Sequence, residues 1–165
     1  MANPWVARYT PTCLVTGQID PAGRRLSDHL NDPVTGFVPV HNVTYYDLLS
    51  DDASASQAVA LTLRKEAVHL VVPEDSPDPL RPRVRTDTLP IMLGFSVYQV
   101  RGRFHRQSGD STQLVELFAN SGTRNFFAVS EAEIHYLPNA RFDVTVPLVL
   151  VNTRQLEFWA LQGED

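Results

Sequence analysis

The chain has 165 residues, of which 43% are apolar and 20% charged, with a formal net charge of −5. That apolar content can offset the entropy of ordering one domain or two small ones, which excludes a disordered chain. The acidic balance argues against generic nucleic-acid binding, which needs a basic face to neutralise phosphates. The single cysteine, Cys13, excludes an internal disulfide. The opening Met1-Ala2-Asn3-Pro4-Trp5 is polar and Pro-interrupted, and the longest apolar run, 144–151, is broken by Thr145 and Pro147. Neither a signal peptide nor a membrane helix is predicted, and a cytoplasmic chain is expected.

The first predicted strand is Val15-Thr16-Gly17-Gln18-Ile19, an alternating run with glycine at its middle. A turn at Pro21-Ala22-Gly23 leads to a short helix in which Leu26 and Leu30, spaced i and i+4, share one face. Asp32-Pro33 ends it, and a strand follows from Phe37 to Tyr45. Two apolar runs, 59–63 and 68–72, flank the polar turn Arg64-Lys65-Glu66 and close the first half. Five prolines in the eighteen residues 73–90 then predict an extended, semi-rigid linker.

The second half repeats the first. Val100-Arg101-Gly102-Arg103-Phe104 matches Val15 to Ile19, and Leu114 and Phe118 repeat the helical pair. The run from Phe126 to Ile134 aligns without gaps to that from Phe37 to Tyr45, as F-x-x-V-x-x-small-x-large. Runs at 146–151 and 156–160 again flank a polar turn, Asn152-Thr153-Arg154. Four features recurring in one order predict a tandem duplication of a mostly β module: copy 1 at 5–73, a linker at 74–89 and copy 2 at 90–162. Each module is expected to run strand, helix, strand, strand, strand. Gly17 and Gly102 fall mid-strand, where a missing side chain permits a bulge, and an SH3-like or Sm-like barrel is the expected form. Modules this small bury little surface alone, so the copies are expected to pack together.

The run Arg25-Leu26-Ser27-Asp28-His29-Leu30-Asn31, followed by Phe37 and by Val40-His41-Asn42-Val43, resembles an uncharacterised bacterial domain family with an R-[LV]-S-D-x-L-N motif. The likeness covers residues 12–72 and extends more faintly to the second half. It implies a small β domain and no reaction. The second copy departs from it, with Val115 and Ala119 at the places of Ser27 and Asn31, so a site built on the full motif occurs once.

Arg25, Ser27, Asp28 and Asn31 form the leading polar constellation, a ligand or partner site if they converge, helix capping if they do not. His29, His41, His69, His105 and His135 lack the spacing of a metal site, and neither metal nor cofactor is expected. Cys13 sits in an apolar run that predicts an unreactive core thiol. With no nucleophile elbow and no glycine-rich phosphate loop, catalytic residues are not expected. Arg101 and Arg103 share a strand face and, with Arg106, make a candidate single-stranded RNA surface, against the plainer reading of cross-strand pairing with Glu131 and Glu133. Of the adjacent Phe158 and Trp159 one must point outward, which makes them candidate subunit contacts. Small barrels leave unpaired edges that invite another chain, and three tandem chains would close a ring of six modules. The sequence thus predicts a non-enzymatic interaction protein whose partner is itself or a larger complex, with RNA as the rival partner.

Overall fold

Alternating β-branched and aromatic residues punctuated by Gly and Pro favour strands. In the computed structural model, which describes residues 4–50, 54–74, 86–107, 114–119 and 124–163, they form ten. The first half runs β1 (Trp5–Tyr9), β2 (Cys13–Gln18), α1 (Leu26–Leu30), β3 (Phe37–Asp47), β4 (Ala55–Arg64), a 3-10 turn (Lys65–Ala67) and β5 (Leu70–Pro73). The second runs β6 (Thr86–Gly94), β7 (Tyr98–Gln107), α2 (Leu114–Ala119), β8 (Phe126–Tyr136), a 3-10 turn (Ala140–Phe142), β9 (Val144–Asn152), a 3-10 turn (Thr153–Gln155) and β10 (Phe158–Leu161). All strands belong to one antiparallel sheet in the order β10-β6-β7-β8-β9-β5-β1-β2-β3-β4. The order β5-β1-β2-β3-β4 in the first half is the order β10-β6-β7-β8-β9 in the second.

Three expectations are corrected. Each half has a strand ahead of its glycine-bearing one, β1 and β6, which local alternation did not single out. β6 begins at Thr86, inside the segment 74–89 expected to be linker; of that segment, residues 75–85 lie outside the described residues. Pro90 sits within β6 without cost, because its carbonyl accepts from Gln162 N–H just past the end of β10, so the donor it lacks would face no strand. The sheet does not close into a barrel: among the described residues β4 pairs only with β3 and β10 only with β6. The outer edge of β5, which closure of the first half would have used, is taken by β9.

The mid-strand glycines do what their position suggests. Pairing slips between Thr16 and Gln18 on β2 and between Arg101 and Arg103 on β7, and the extra residue lies on the facing strand. Asn42 and Glu131, at aligned positions there, take positive φ of 52° and 51°. A Cβ on Gly17 would lie 2.7 Å from Val40 Cγ1 and 2.8 Å from the His41 carbonyl; one on Gly102 would lie 2.7 Å from both Val129 Cγ1 and the Ser130 carbonyl. Only glycine lets the strands approach so closely.

The main core spans both halves. Tyr9, Leu70 and Val72 of the first pack with Tyr98, Phe104, Phe127 and Val149 of the second. Tyr98 stacks edge-on against Tyr9 with ring centroids 5.9 Å apart and donates its hydroxyl to the Thr10 carbonyl at 2.7 Å. A second cluster joins Val6, Leu30 and Val71 to Phe126 and Leu150. The two halves therefore share one sheet and two core clusters.

Candidate assembly interface

The seam between the halves is the pairing of β5 with β9. Leu70 faces Val151 and Val71 faces Leu150, and Asn152 N–H donates to the His69 carbonyl at 2.8 Å. Leu70, Val71 and Val151 have no exposure to solvent. Buried polar groups at a seam must be paired, and here amide side chains do it. Asn152 donates its side-chain amide to the Lys65 and Val68 carbonyls at 3.3 and 2.9 Å while its oxygen accepts from Arg154 N–H. Gln155 donates to the Glu66 carbonyl at 2.8 Å.

Asn31 is the second clamp. Its oxygen accepts from the backbone N–H groups of Asn125 and Phe126 at 2.7 and 2.8 Å, and its amide donates to the Phe126 carbonyl at 2.9 Å. One side chain at the end of α1 so satisfies three backbone groups ahead of the β8 ladder. Its backbone N–H meanwhile ends the helix on the Ser27 carbonyl. The buried Lys65 donates its ammonium to the His29 and Asp32 carbonyls at 2.9 and 3.0 Å and to Thr35 Oγ1, holding α1 from its C-terminal side.

The Arg25, Ser27, Asp28 and Asn31 constellation is spread along α1, from its N-terminal flank to its C-terminal cap. Arg25 is the N-terminal flanking residue of α1 and makes no side-chain cap, Asp28 lies exposed in the first turn, and Asn31 reaches off the helix to the start of β8. Expected to help end the helix, it also ties the halves together. Its partners are 94 and 95 residues away, a distance no local motif encodes.

Past the seam lie two open edges. β4 is exposed along most of its length, with Val59 at 87% exposure, and Phe37 on the neighbouring β3 is half exposed under the Arg64 guanidinium, 5.8 Å from its ring. At the opposite end, β10 exposes Phe158 and Leu161. Trp159 points inward against the main core and stacks on Phe118, so Phe158 is the outward member of the pair. Its ring lies across Gly94, where any side chain would collide with it.

Compared with protein-family models, with curated proteins and with solved structures, the chain matches none.

The arginines divide. Arg101 and Arg103 take alternate positions on one face of β7, with Arg101 opposite Glu133 and Arg103 donating to Thr88 Oγ1 at 3.1 Å. Arg106 falls on the other parity, in register with Asp87, so the three do not form one track. Beside Arg101 is a shallow depression of about 360 Å³ lined also by Gln99, His135 and Asp143. The His135 ring and Asp143 carboxylate meet at 2.9 Å, and this contact together with Tyr136 N–H holds the carboxyl below its ordinary range. Neither Cys13 nor a serine lines it. Among the described residues no three His, Cys, Asp or Glu side chains gather as metal ligands, and no helix is long and apolar enough to cross a membrane.

One buried group stands apart from the seam. Arg8, with no exposure to solvent, finds no hydrogen-bond partner for any guanidinium nitrogen among the described residues. Burial pulls it down to about 9, against the opposing pull of the Glu74 carboxylate. At the matching place in the second half stands Leu93, since Val6 faces Gly17 as Ile91 faces Gly102.

Proposed function

We propose that the chain is a tandem duplication of a small five-stranded module and a non-enzymatic interaction protein that assembles with itself through the free edges of its sheet. The observation that carries this reading is the pair of open edges, β4 and β10, each with one strand partner among the described residues and with apolar side chains exposed beside it. Unpaired N–H and C=O groups in a row are a template for another strand. The duplication is supported by the common strand order and by the matched bulges at Gly17 and Gly102. In this reading the motif from Arg25 to Asn31, by which the first half resembles a family without known reaction, is an element of module-to-module contact.

Light scattering across protein concentration and salt tests the reading, with co-purified nucleic acid followed by the 260/280 nm absorbance ratio. A mass that is a multiple of the single chain without nucleic acid is the expected result. A chain that stays single at every concentration overturns it. A nucleic-acid-laden species that strips with salt would transfer the function to the face of Arg101 and Arg103.

A further inference from the structure

Resting on that reading, we infer that the β10 edge of one chain pairs antiparallel with the β4 edge of a second copy, head to tail, in the register already used once inside the chain at the β5–β9 seam. Each half contributes the same two outer strands, β5 and β4 in the first, β10 and β9 in the second. The inner pair, β5 and β9, is joined. The outer pair, β10 and β4, is the same kind of pair left open at opposite ends of the sheet. A second copy presents to each open edge the kind of strand its counterpart already holds.

The register follows from counterparts. Counted from the 3-10 turns Lys65–Ala67 and Thr153–Gln155, Phe158 stands where Leu70 stands, and Trp159 where Val71 stands. Phe37 faces Arg64 as Phe126 faces Asn152, so Leu63 and Thr62 are the counterparts of Val151 and Leu150. The seam pairs Leu70 with Val151 and Val71 with Leu150. Between copies, Phe158 therefore faces Leu63 of the next chain, and Trp159 faces its Thr62.

Three observations agree with this placement. Leu70, paired with Val151 of β9, is fully buried while Phe158 is 48% exposed, so the ring waits for the cover its counterpart already has. The seam bond from Asn152 N–H to the His69 carbonyl becomes one from Arg64 to Glu157, which brings opposite charges together, both on exposed residues. Pro39 stands opposite Thr62 on β3. A residue without N–H is tolerated there if Thr62 turns its own backbone groups away from β3, toward the open side. Because the two edges differ, the contact is heterologous and leaves one edge of each kind free until a ring closes.

Disulfide trapping in a Cys13→Ser background tests the register. Leu63→Cys and Phe158→Cys chains, each carrying one thiol, are mixed and mildly oxidised. The expected result is a covalent dimer from the mixture and none from either variant alone, with a ladder of linked chains when one chain carries both. A dimer from Leu63→Cys alone or Phe158→Cys alone, or no linkage in a mixture that light scattering shows to be multimeric, overturns the head-to-tail register and leaves edge assembly standing. A single chain under all conditions overturns both. Since Leu63 packs partly against its own core, the charge pair gives an independent test on exposed positions. Arg64→Glu and Glu157→Arg should each weaken association about tenfold, and the double exchange should restore it. Equal weakening with no restoration would reject the predicted proximity.

Discussion

Strands β4 and β9 occupy the same place in their halves, yet one meets water and the other a neighbour. β9, Val-Thr-Val-Pro-Leu-Val-Leu-Val-Asn, is buried at six of its nine residues, whereas β4, Ala-Ser-Gln-Ala-Val-Ala-Leu-Thr-Leu-Arg, has none buried. The substitutions lie where cover differs: Leu150 against Thr62, Leu148 against Ala60, and Asn152 against Arg64. An edge covered by its own chain can be apolar throughout. One that waits in water carries small, polar or charged residues at these three places, which guards against indiscriminate pairing. The β4 contact proposed above is thus built to be weaker and more reversible than the seam, and the two edges should respond differently to the same mutation.

The largest contrast is expected at the phenylalanines that open β3 and β8. Phe126 is 1% exposed and clustered with Leu30 and Val71 of the other half and with Leu150 of its own, while Phe37 is 52% exposed. Phe126→Ala should cost about 3–5 kcal/mol by urea denaturation. Phe37→Ala, measured at dilution where the chain is single, should stay within about 0.5 kcal/mol of the parent. Equal costs would mean that the two positions are not counterparts in different surroundings.

Next comes the clamp. Asn31→Ala strands two backbone N–H groups and a carbonyl at the head of β8, with an expected cost of about 1–3 kcal/mol. Ala119 holds the matching place on α2 and is exposed, so Ala119→Ser should leave the unfolding midpoint within about 1 °C. A silent Asn31→Ala would show that α1 does not fasten the halves.

A comparison of the interiors is predicted to run the other way. Arg8 and Leu93 are counterparts, but only Arg8 buries a charge with no hydrogen-bond partner among the described residues. Arg8→Leu should therefore stabilise the chain by about 1–3 kcal/mol, seen as a higher urea midpoint at unchanged slope. A destabilised variant would mean that the guanidinium is satisfied in solution and contributes to the fold.

Much of this architecture was legible locally. The β-rich class, both helices, the bulges at Gly17 and Gly102, and the split orientation of Phe158 and Trp159 follow from periodicity and from what glycine allows. β1 was missed because Arg8 breaks an apolar run with a charge the fold then buries, and β6 because Pro90 reads as linker. The seam was hidden for a different reason. Asn31, Lys65, Asn125 and Asn152 look like ordinary turn and cap residues, and their partners come from the other half of the chain or from tens of residues away. Open edges are hard to read from one strand alone, since β4 looks like any alternating strand until Thr62, Ala60 and Arg64 are set beside Leu150, Leu148 and Asn152 of β9.

The smallest expected effect separates seam from edge by pH. His69 lies in the seam, 4% exposed, its ring 6.0 Å from those of Phe95 and Tyr98; its counterpart Glu157 is exposed beside β10. Burial lowers the His69 pKa below the ordinary 6.5, so the folded chain resists its protonation. A group depressed on folding contributes stability above its unfolded value, and that contribution is lost as pH falls through the folded value. His29 and His105 shift in the same direction, whereas the lowered Asp32 and Asp143 act only in the more acid range below 3.8. Stability should accordingly hold above pH 6.5 and decline as pH falls below it. His69→Phe keeps the aromatic contacts and removes the proton, so it should flatten part of that decline. Urea midpoints across that range, with His69→Phe as steep as the parent, would show that the seam stays wet enough for His69 to titrate freely.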